Sequence, residues 1–587
     1  MTKWLLRQSS ADISAIARQS GLPPVLARIL AVRGLRDSAA VLAFLHPEQA
    51  EPASPFEFAD MRTAVRIAAA AIQEERKCAI FGDYDVDGVM STVILHHTLC
   101  TLGADVIYYI PQREQEGYGL NIDAIRSLYA CGVSVLFACD NGISAFEQVE
   151  FAKALGMRVV ILDHHAVTVK DGQQLLPAAD AVVDAQRNDC AYPFSQYCAA
   201  GVCYRFSEAL FLECGKDWQE TGAYLLPFAA LATVCDLVEL YGENRALLKR
   251  GLPAISNSSN PGLHALLEVT GLADKEIDTY HVGFILGPCI NASGRLDIAD
   301  KAVELFLTED AIVAKQLATT LSALNQERRR LTDEGARLAN EQIEAHALAR
   351  DPVIVLHCPA LAESIAGIVA GRIRERYHHP VVVLAGAGDT VRGSCRSIEA
   401  YNIYQGLAAC SDLLLAFGGH PMAAGLTISA VNIPLLRQRI NADCGLQEED
   451  LQQVFRIDCP LQPAAADLEL AKALQCLAPY GKGHPQPLFA AKGLRLTALQ
   501  QLGRDGRVLR WQMQEENGRS FEAIDFSGRD RLQDEICRRY GEQAWLTLLR
   551  GRSENAVRLD IIYLLQVNRY HGRESAQLQI VDFRLID

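Results

Sequence analysis

Residues 78–88 read CAIFGDYDVDG: an apolar run from Cys78 to Phe81, then Asp83, Asp85 and Asp87 at alternate positions between Gly82 and Gly88. In extended chain, alternate side chains share one face. Three carboxylates therefore converge where a buried strand gives way to a loop. Like charges so placed repel and penalise the ionised state, so a chain that gathers them needs a compensating positive charge.

The pattern recurs downstream. VSVLFACDNGIS ends its apolar run at Asp140-Asn141-Gly142, and RVVILDHHAV ends at Asp163-His164-His165. Helical patterns such as GVMSTVILHHTLCTLG and AFEQVEFAKALG lie between the runs. Nearly all-apolar strands alternating with helices predict a parallel sheet covered on both faces. Ligands bind beyond the strand C-termini of such sheets, where all these polar residues fall. Asp236 joins them from the apolar, helix-like stretch PFAALATVCDLVEL. In isolation DxD is a common turn, DHH a helix cap with surface histidines, DNG an ordinary turn and Asp236 a capped core acid. Together, in this order, they predict a rim of carboxylates and imidazoles suited to Mn²⁺ or Mg²⁺. Two such ions form the known clamp for in-line attack on a phosphate.

The 587 residues exceed one ordinary core. The sequence divides into an N-terminal helical segment (1–60), a first α/β lobe (61–308), a long helix (309–348), a second α/β lobe (349–458) and a strand-rich C-terminal domain (459–587). VLRWQMQ, SFEAIDFSG, AWLTLLRG and RLDIIYLLQVNRY read as strands of a small β-barrel of the oligonucleotide-binding type. Within it Trp511, Phe521, Phe526 and Tyr570 are candidates for base stacking, with the core as the competing place for most. The run Arg328-Arg329-Arg330 on the long helix reads as a solvated face.

The net charge of −15 does not suggest a nucleic-acid binder, but residues 491–587 carry 16 Lys and Arg against 14 Asp and Glu. The acidic excess lies wholly in the rest of the chain. The 17 cysteines contain no C-x-x-C pair and mostly sit in apolar runs; they read as reduced, buried thiols. No apolar run approaches the ~20 residues of a membrane span. The N-terminus MTKWLLRQSSADIS is a poor signal peptide, so a cytoplasmic protein is expected.

FGDYDVDG, DNGIS, LDHH and TVCDLVEL together resemble the motifs of the DHH phosphoesterase superfamily. IPQREQEGYGL, INASGRLD, GIVAGRI, RGSCRS, FGGHPMAAGL, LAPYGKGHPQPLF and VNRYHGRESAQLQIVDFR are similar, in order, to segments of its single-strand-specific exonuclease branch. The resemblance spans the chain. It implies an α/β protein in which a parallel-sheet DHH domain and a smaller DHHA1 domain are joined by a long helix and followed by an OB-type barrel. It implies a 5′-to-3′ single-stranded-DNA exonuclease that releases mononucleotides in DNA recombination and repair.

By position, it implies two divalent cations, Mn²⁺ or Mg²⁺, held by Asp83, Asp85, Asp87, Asp140, His164 and Asp236, with Asp140 bridging. His165 would touch the scissile phosphate, Asp163 would orient the histidine pair, and Arg295, with Asn291 nearby, would stabilise the pentavalent phosphate. Ser394 and Arg396, helped by Arg113, would take the 5′ phosphate; Gly418, Gly419 and His420 would let the strand approach closely. Implied partners are single-stranded DNA, a single-strand-binding protein and a RecQ-type helicase; no membrane association is implied, and a monomer is. Departures from the family pattern are CPALAESIAGIVA, Gln112 and Cys395, none at a metal ligand. The competing readings are a phosphoesterase for oligoribonucleotides or cyclic dinucleotides, and a non-catalytic nucleic-acid-binding scaffold.

Overall fold

A computed structural model describes the chain except residues 1, 113–115, 118, 298, 504, 505, 507, 527, 552–556, 571 and 587. It divides into two compact units, Glu51–Gln453 and a second made of Met1–Ala50 with Val454–Asp587.

In the first unit five short strands, β1 (Cys78–Phe81), β2 (Val106–Tyr109), β3 (Val135–Cys139), β4 (Arg158–Leu162) and β5 (Ala181–Val183), form a parallel sheet in the order β2-β1-β3-β4-β5. Their all-apolar sequence follows from burial on both faces. Cys78, Ile80, Phe137 and Val160 enter one core with the helices α1 (Val86–Thr101), α2 (Ala199–Glu213) and α3 (Gln219–Cys235). Ala79, Phe81, Leu136, Ala138, Val159 and Ile161 enter the other, against helices 122–130 and 146–154. Because the strands are parallel, the loops after β1, β3, β4 and β5 open at one edge.

A helical run from Thr279 passes through a π-helical stretch, Val282–Leu286, into α4 (Gly287–Leu296). The 35-residue helix α5 (Ala311–Ala345) follows, about 50 Å long at the usual rise. Its N-terminal half buries Ala314, Ala318 and Leu321 in the first lobe, and its C-terminal half buries Ala339 and Ile343 in the second. Gly335 lies where the helix meets that second lobe: a Cβ there would stand 2.6 Å from Leu361 Cδ1.

The second lobe is a mixed sheet of β6 (Ile354–Cys358), β7 (Val381–Ala385), β8 (Thr390–Arg396), β9 (Leu414–His420) and β10 (Ala423–Ser429), in the order β9-β10-β8-β7-β6. Only β6 and β7 are parallel. Helix α6 (Glu363–Tyr377) covers one face.

The other unit joins the chain's two ends. Residues 1–60 read as helices, and helices do form at Ile13–Ser20, Pro24–Val32 and Ser38–Leu45, but the chain starts as a strand, Lys3–Leu6, parallel to Val454–Ile457. The N-terminal helices share one core with the barrel. Arg33 forks onto buried Asp458 at 2.9 and 2.8 Å and reaches His484 and the Pro485 carbonyl of the HPQP motif. Four long strands, Phe489–Leu502, Val508–Gln514, Val557–Tyr570 and Arg573–Leu585, with Ser520–Asp525, close the barrel through the pairing of the first with the third. AWLTLLRG, which reads as a strand, is instead a helix, Glu542–Leu549, that buries Trp545 and Leu548; its apolar spacing is i, i+3, i+4 rather than alternate. Trp511 is core, Phe521 is partly buried, and Phe526 and Tyr570 are exposed. Among the described residues no helix is long and apolar enough to cross a membrane.

Candidate metal centre and phosphate pocket

The three aspartates after β1 separate into three roles. Asp85 caps α1, its Oδ1 accepting from the Asp87 and Gly88 amides at 3.0 and 3.2 Å. Asp87 is buried, and its two oxygens accept the Ala199 and Ala200 amides at 2.7 and 2.8 Å, at the N-terminus of α2. Orphan donors at a helix start favour an anion. Asp83 is buried beside Gly88, where a Cβ would come within 2.5 Å of the Asp83 backbone nitrogen.

From β3 comes Asp140, buried and in the left-handed region at φ 62°. A non-glycine residue held there is strained, as happens at functional sites. Its neighbour Asn141 locks the β3 loop to the β1 loop, donating to the carbonyls of Phe81, Gly82 and Cys139 at 3.3, 3.1 and 2.9 Å.

From β4 comes Asp163, fully buried. Its Oδ1 accepts the His164 and His165 amides, at 2.8 and 3.4 Å, and His165 Nδ1 at 2.8 Å; its Oδ2 accepts the Ile143 amide at 3.1 Å. Asp236 stands one residue past α3, at its C-terminus, where the helix dipole opposes a carboxylate; His164 Nδ1 lies 3.7 Å from it.

These pieces converge. His164 Nε2 is 3.3 Å from Asp140 Oδ1 and 3.6 Å from Asp87 Oδ2, yet it is buried and makes no hydrogen bond. Ligand-type atoms of Asp83, Asp85 and Asp140 lie within 4.8 Å of one another; so do those of Asp87, His164 and Asp236, and those of Asp140, Asp163, His164 and His165. Carboxylate-rich groups with at most two imidazoles suit a hard divalent cation. The buried, unbonded nitrogen aimed among carboxylates fits a cation as its missing partner.

Electrostatics agree. Burial and the charges of Asp87, Asp85, Asp83 and Asp163 raise the Asp140 carboxyl well above its usual range. Burial also raises Asp87 and lowers His164. Asp163 is the exception: burial disfavours its charge, but the hydrogen bond and charge of His165 hold it at about 2. Burial works to lower His165, and the Asp163 bond outweighs it, to about 9.

Asp184 is a member of this edge that the sequence reading missed. It directly follows β5, is fully buried, and leaves Oδ2 without a hydrogen bond; burial raises it to about 8. The signal is present in DAVVDA, another apolar run closing on Asp.

Asn291 and Arg295 arrive on α4. Asn291 Oδ1 accepts the Val86 amide at 3.1 Å, so this side chain steadies the aspartate loop. Arg295 Nη1 donates to the Ser364 carbonyl at 3.1 Å, reaching the first turn of α6 in the second lobe. Beside it a cavity of ≈ 220 Å³ is lined by Ser364, Gly367, Arg392, Ser394 and Gly425, among others.

Ser394 and Arg396 lie on one face of β8. Gly367 makes room for both: a Cβ there would meet Ser394 Oγ at 2.8 Å and Arg396 Nη2 at 3.0 Å. Cys395 points to the opposite face and is wholly buried in that core, so its thiol does not shape the cavity. Ser394 pairs with Gly425, and Gly425 with Gly418, so two glycines continue the serine's row to the exposed edge strand that also carries Gly419 and His420. Arg113 lies outside the described residues.

Comparison with known proteins gives three family matches: the DHH family N-terminal domain over residues 77–233, the DHHA1 domain over 350–445 and the RecJ OB domain over 457–582. The chain is 32% identical to the single-stranded-DNA-specific exonucleases RecJ of Salmonella typhimurium (98% of each chain) and Escherichia coli (95% of each). It is 32% identical to that of Bacillus subtilis, covering 99% of this chain and 70% of the relative. A crystal structure of RecJ in complex with Mn²⁺ from Thermus thermophilus superposes with a TM-score of 0.81 at 26% identity, covering 100% of this chain and 80% of the other. A Mg²⁺ complex from the same source gives 0.74, covering 100% and 79%.

Proposed function

This chain belongs to the RecJ family of single-stranded-DNA-specific exonucleases, and from that premise we propose that it hydrolyses single-stranded DNA from the 5′ end, releasing mononucleotides. The observation that carries the reading is the buried His164 Nε2, set without a hydrogen bond between Asp87 and Asp140 at the open edge of the sheet, with Asp236 on the ring's Nδ1 side. In this reading Asp83, Asp85 and Asp140 would hold one cation and Asp87, His164 and Asp236 a second, with Asp140 within reach of both groups. Mn²⁺ or Mg²⁺ held there would supply an activated water and neutralise charge on the phosphate.

The chain's own groups do the rest. Asp163 fixes the His165 ring through Nδ1 at 2.8 Å, so its other ring nitrogen is held ready to donate a hydrogen bond to a phosphoryl oxygen. Arg295, at the junction of the lobes, offers a guanidinium fork to the same phosphate. Ser394, which lines the 220 Å³ cavity, and Arg396, which packs with it against Gly367, take the terminal 5′ phosphate. The row Ser394–Gly425–Gly418 gives a sugar–phosphate backbone a surface without side chains in the way. One strand passes between the lobes, and duplex is excluded because it is too wide. The barrel holds the incoming strand by charge and stacking, with exposed Phe526 and Tyr570 as contacts. Recombination and repair, with a single-strand-binding protein and a RecQ-type helicase as partners, are the setting this reading implies.

Strands labelled at one end or the other, with and without a 5′ phosphate, test the proposal. Early release of the 5′ label as mononucleotide supports it; release from the 3′ end first, or hydrolysis of dinucleotides only, overturns it.

A further inference from the structure

The helical run that brings Asn291 and Arg295 to the site carries two aromatic residues at its other end. Tyr280 and Phe284 stand four residues apart, ring centroids 5.1 Å apart and planes 27° from parallel. They are 60% and 64% exposed. An i,i+4 aromatic contact adds little to helix stability, so helix formation alone does not account for two large rings held in water.

The backbone beneath them is built rather than incidental. Val282–Leu286 is π-helical, a distortion that recurs at functional sites. It is packed against the end of α3: Cys235 Sγ donates to the Val282 carbonyl at 3.9 Å, and a Cβ on Gly287 would stand 2.4 Å from that sulfur. Cys235 directly precedes Asp236, so the aromatic pair is anchored to the segment that delivers a carboxylate to the metal centre. Arg329 on α5 donates to the Phe284 carbonyl at 3.4 Å, which brings a guanidinium to the backbone that carries the rings. From sequence the arginine run reads as a solvated face; Arg330 is so placed, paired with Glu327 and Glu334, whereas Arg329 turns toward the aromatic pair.

We propose that Tyr280 and Phe284 are a stacking platform for bases of the incoming single strand, a substrate contact separate from the barrel; the proposal rests on the nuclease reading above. Exposed aromatic faces next to a guanidinium are the chemistry that binds single strands without regard to sequence. Position supplies the polarity. Arg295 reaches the lobe that holds the 5′ pocket, and Phe284 lies eleven residues before it, about 16 Å along a helix axis. The platform therefore meets bases on the 3′ side of the scissile phosphate.

The test compares wild type, Y280A/F284A and the conservative Y280F/F284Y on a long 5′-phosphorylated strand with Mn²⁺, using intact DNA and DNA with abasic sites a few nucleotides in from the 5′ end. Loss of stacking raises KM about tenfold in Y280A/F284A, consistent with the usual worth of one stacked base, with kcat changed far less. Y280F/F284Y stays near wild type. Abasic sites raise the wild-type KM by a similar factor and leave Y280A/F284A unmoved, an outcome that a merely structural role for the rings does not produce. A wild-type KM in Y280A/F284A, or an equal abasic penalty in both proteins, overturns the platform while leaving the nuclease reading standing. A wild-type protein that leaves the intact strand uncut overturns the nuclease reading and the platform with it.

Discussion

Replacing Asp163 with Asn probes how the centre is held together. Asp163 accepts four hydrogen bonds and touches no solvent. Its carboxyl is held at about 2 against an ordinary 3.8, a difference worth about 2 kcal/mol of folding stability at neutral pH. The Asn amide also turns an N–H toward one of those four donors, adding about 1–3 kcal/mol for a buried donor left unmatched. The imidazole end of the pair, raised from 6.5 to about 9, implies a larger figure. His165 is over a third exposed, however, so solvent screens its share, and Asp236 and Asp87 contribute to the same rise. The carboxylate end is therefore the sounder measure.

The pH window follows from the two directions. The depressed Asp163 gives stability that is present above 3.8 and lost as pH falls through about 2. The raised His165 gives stability that is full below 6.5 and lost as pH rises through about 9. The wild-type advantage over D163N is thus greatest between about pH 4 and 6.5 and shrinks toward pH 9. Urea unfolding of the ion-free chain at about pH 6 and about pH 9 measures it. A proton-detected histidine titration is expected to show the His165 midpoint falling from about 9 in the variant, because the largest of its raising contacts is gone. Hydrolysis drops about 10–100-fold, as for other residues that orient a metal-site histidine. A D163N protein with wild-type stability near pH 6 and an unmoved His165 midpoint would refute the reasoning.

Three further outcomes are expected. Gly88→Ala forces a Cβ to within 2.5–2.6 Å of the Asp83 backbone; destabilisation of about 1–3 kcal/mol and loss of hydrolysis are read by thermal unfolding and strand digestion. Because Asp140 holds its proton well above the usual carboxylate range in the ion-free chain, Mn²⁺ affinity rises with pH across the acid-to-neutral range and binding releases protons; calorimetry in buffers of different ionisation enthalpy detects both. Arg33→Ala takes the fork from buried Asp458 and leaves it the more distant Arg7, at 3.6 Å, and the Leu488 amide, costing about 1–3 kcal/mol in the unit that joins the chain's ends, as read by urea unfolding.

Much of the centre is legible in the sequence because parallel strands place their C-termini at one edge, so Asp83, Asp140 and Asp163 come together from apolar-run-then-acid patterns alone. The same logic finds Asp184 once DAVVDA is recognised as a strand. Strand alternation also separates Ser394 and Arg396 from Cys395, which the RGSCRS motif alone connects to the pocket. Contacts set by helix ends and distant chain leave no such trace. The Asp87 partners lie 112 and 113 positions away, at the start of α2, and Asn291 reaches Val86 across 205. The association of residues 1–50 with the barrel is made by a shared core, a strand pairing and contacts such as Arg33 with Asp458, 425 positions on, which no local period encodes. AWLTLLRG misleads because a short apolar segment fits a period of two, whereas Trp545, Leu548 and Leu549 follow the helical one.

The most direct test of the central claim is digestion of a 5′-labelled single strand by wild type and Asp140→Ala, with Mn²⁺ and with a chelator, alongside strand binding by both proteins. The predicted result is labelled mononucleotide from wild type with Mn²⁺ only, and from D140A full-length strand, bound nearly as tightly but uncut. Hydrolysis by purified D140A, or hydrolysis by wild type that persists in chelator, would contradict the account.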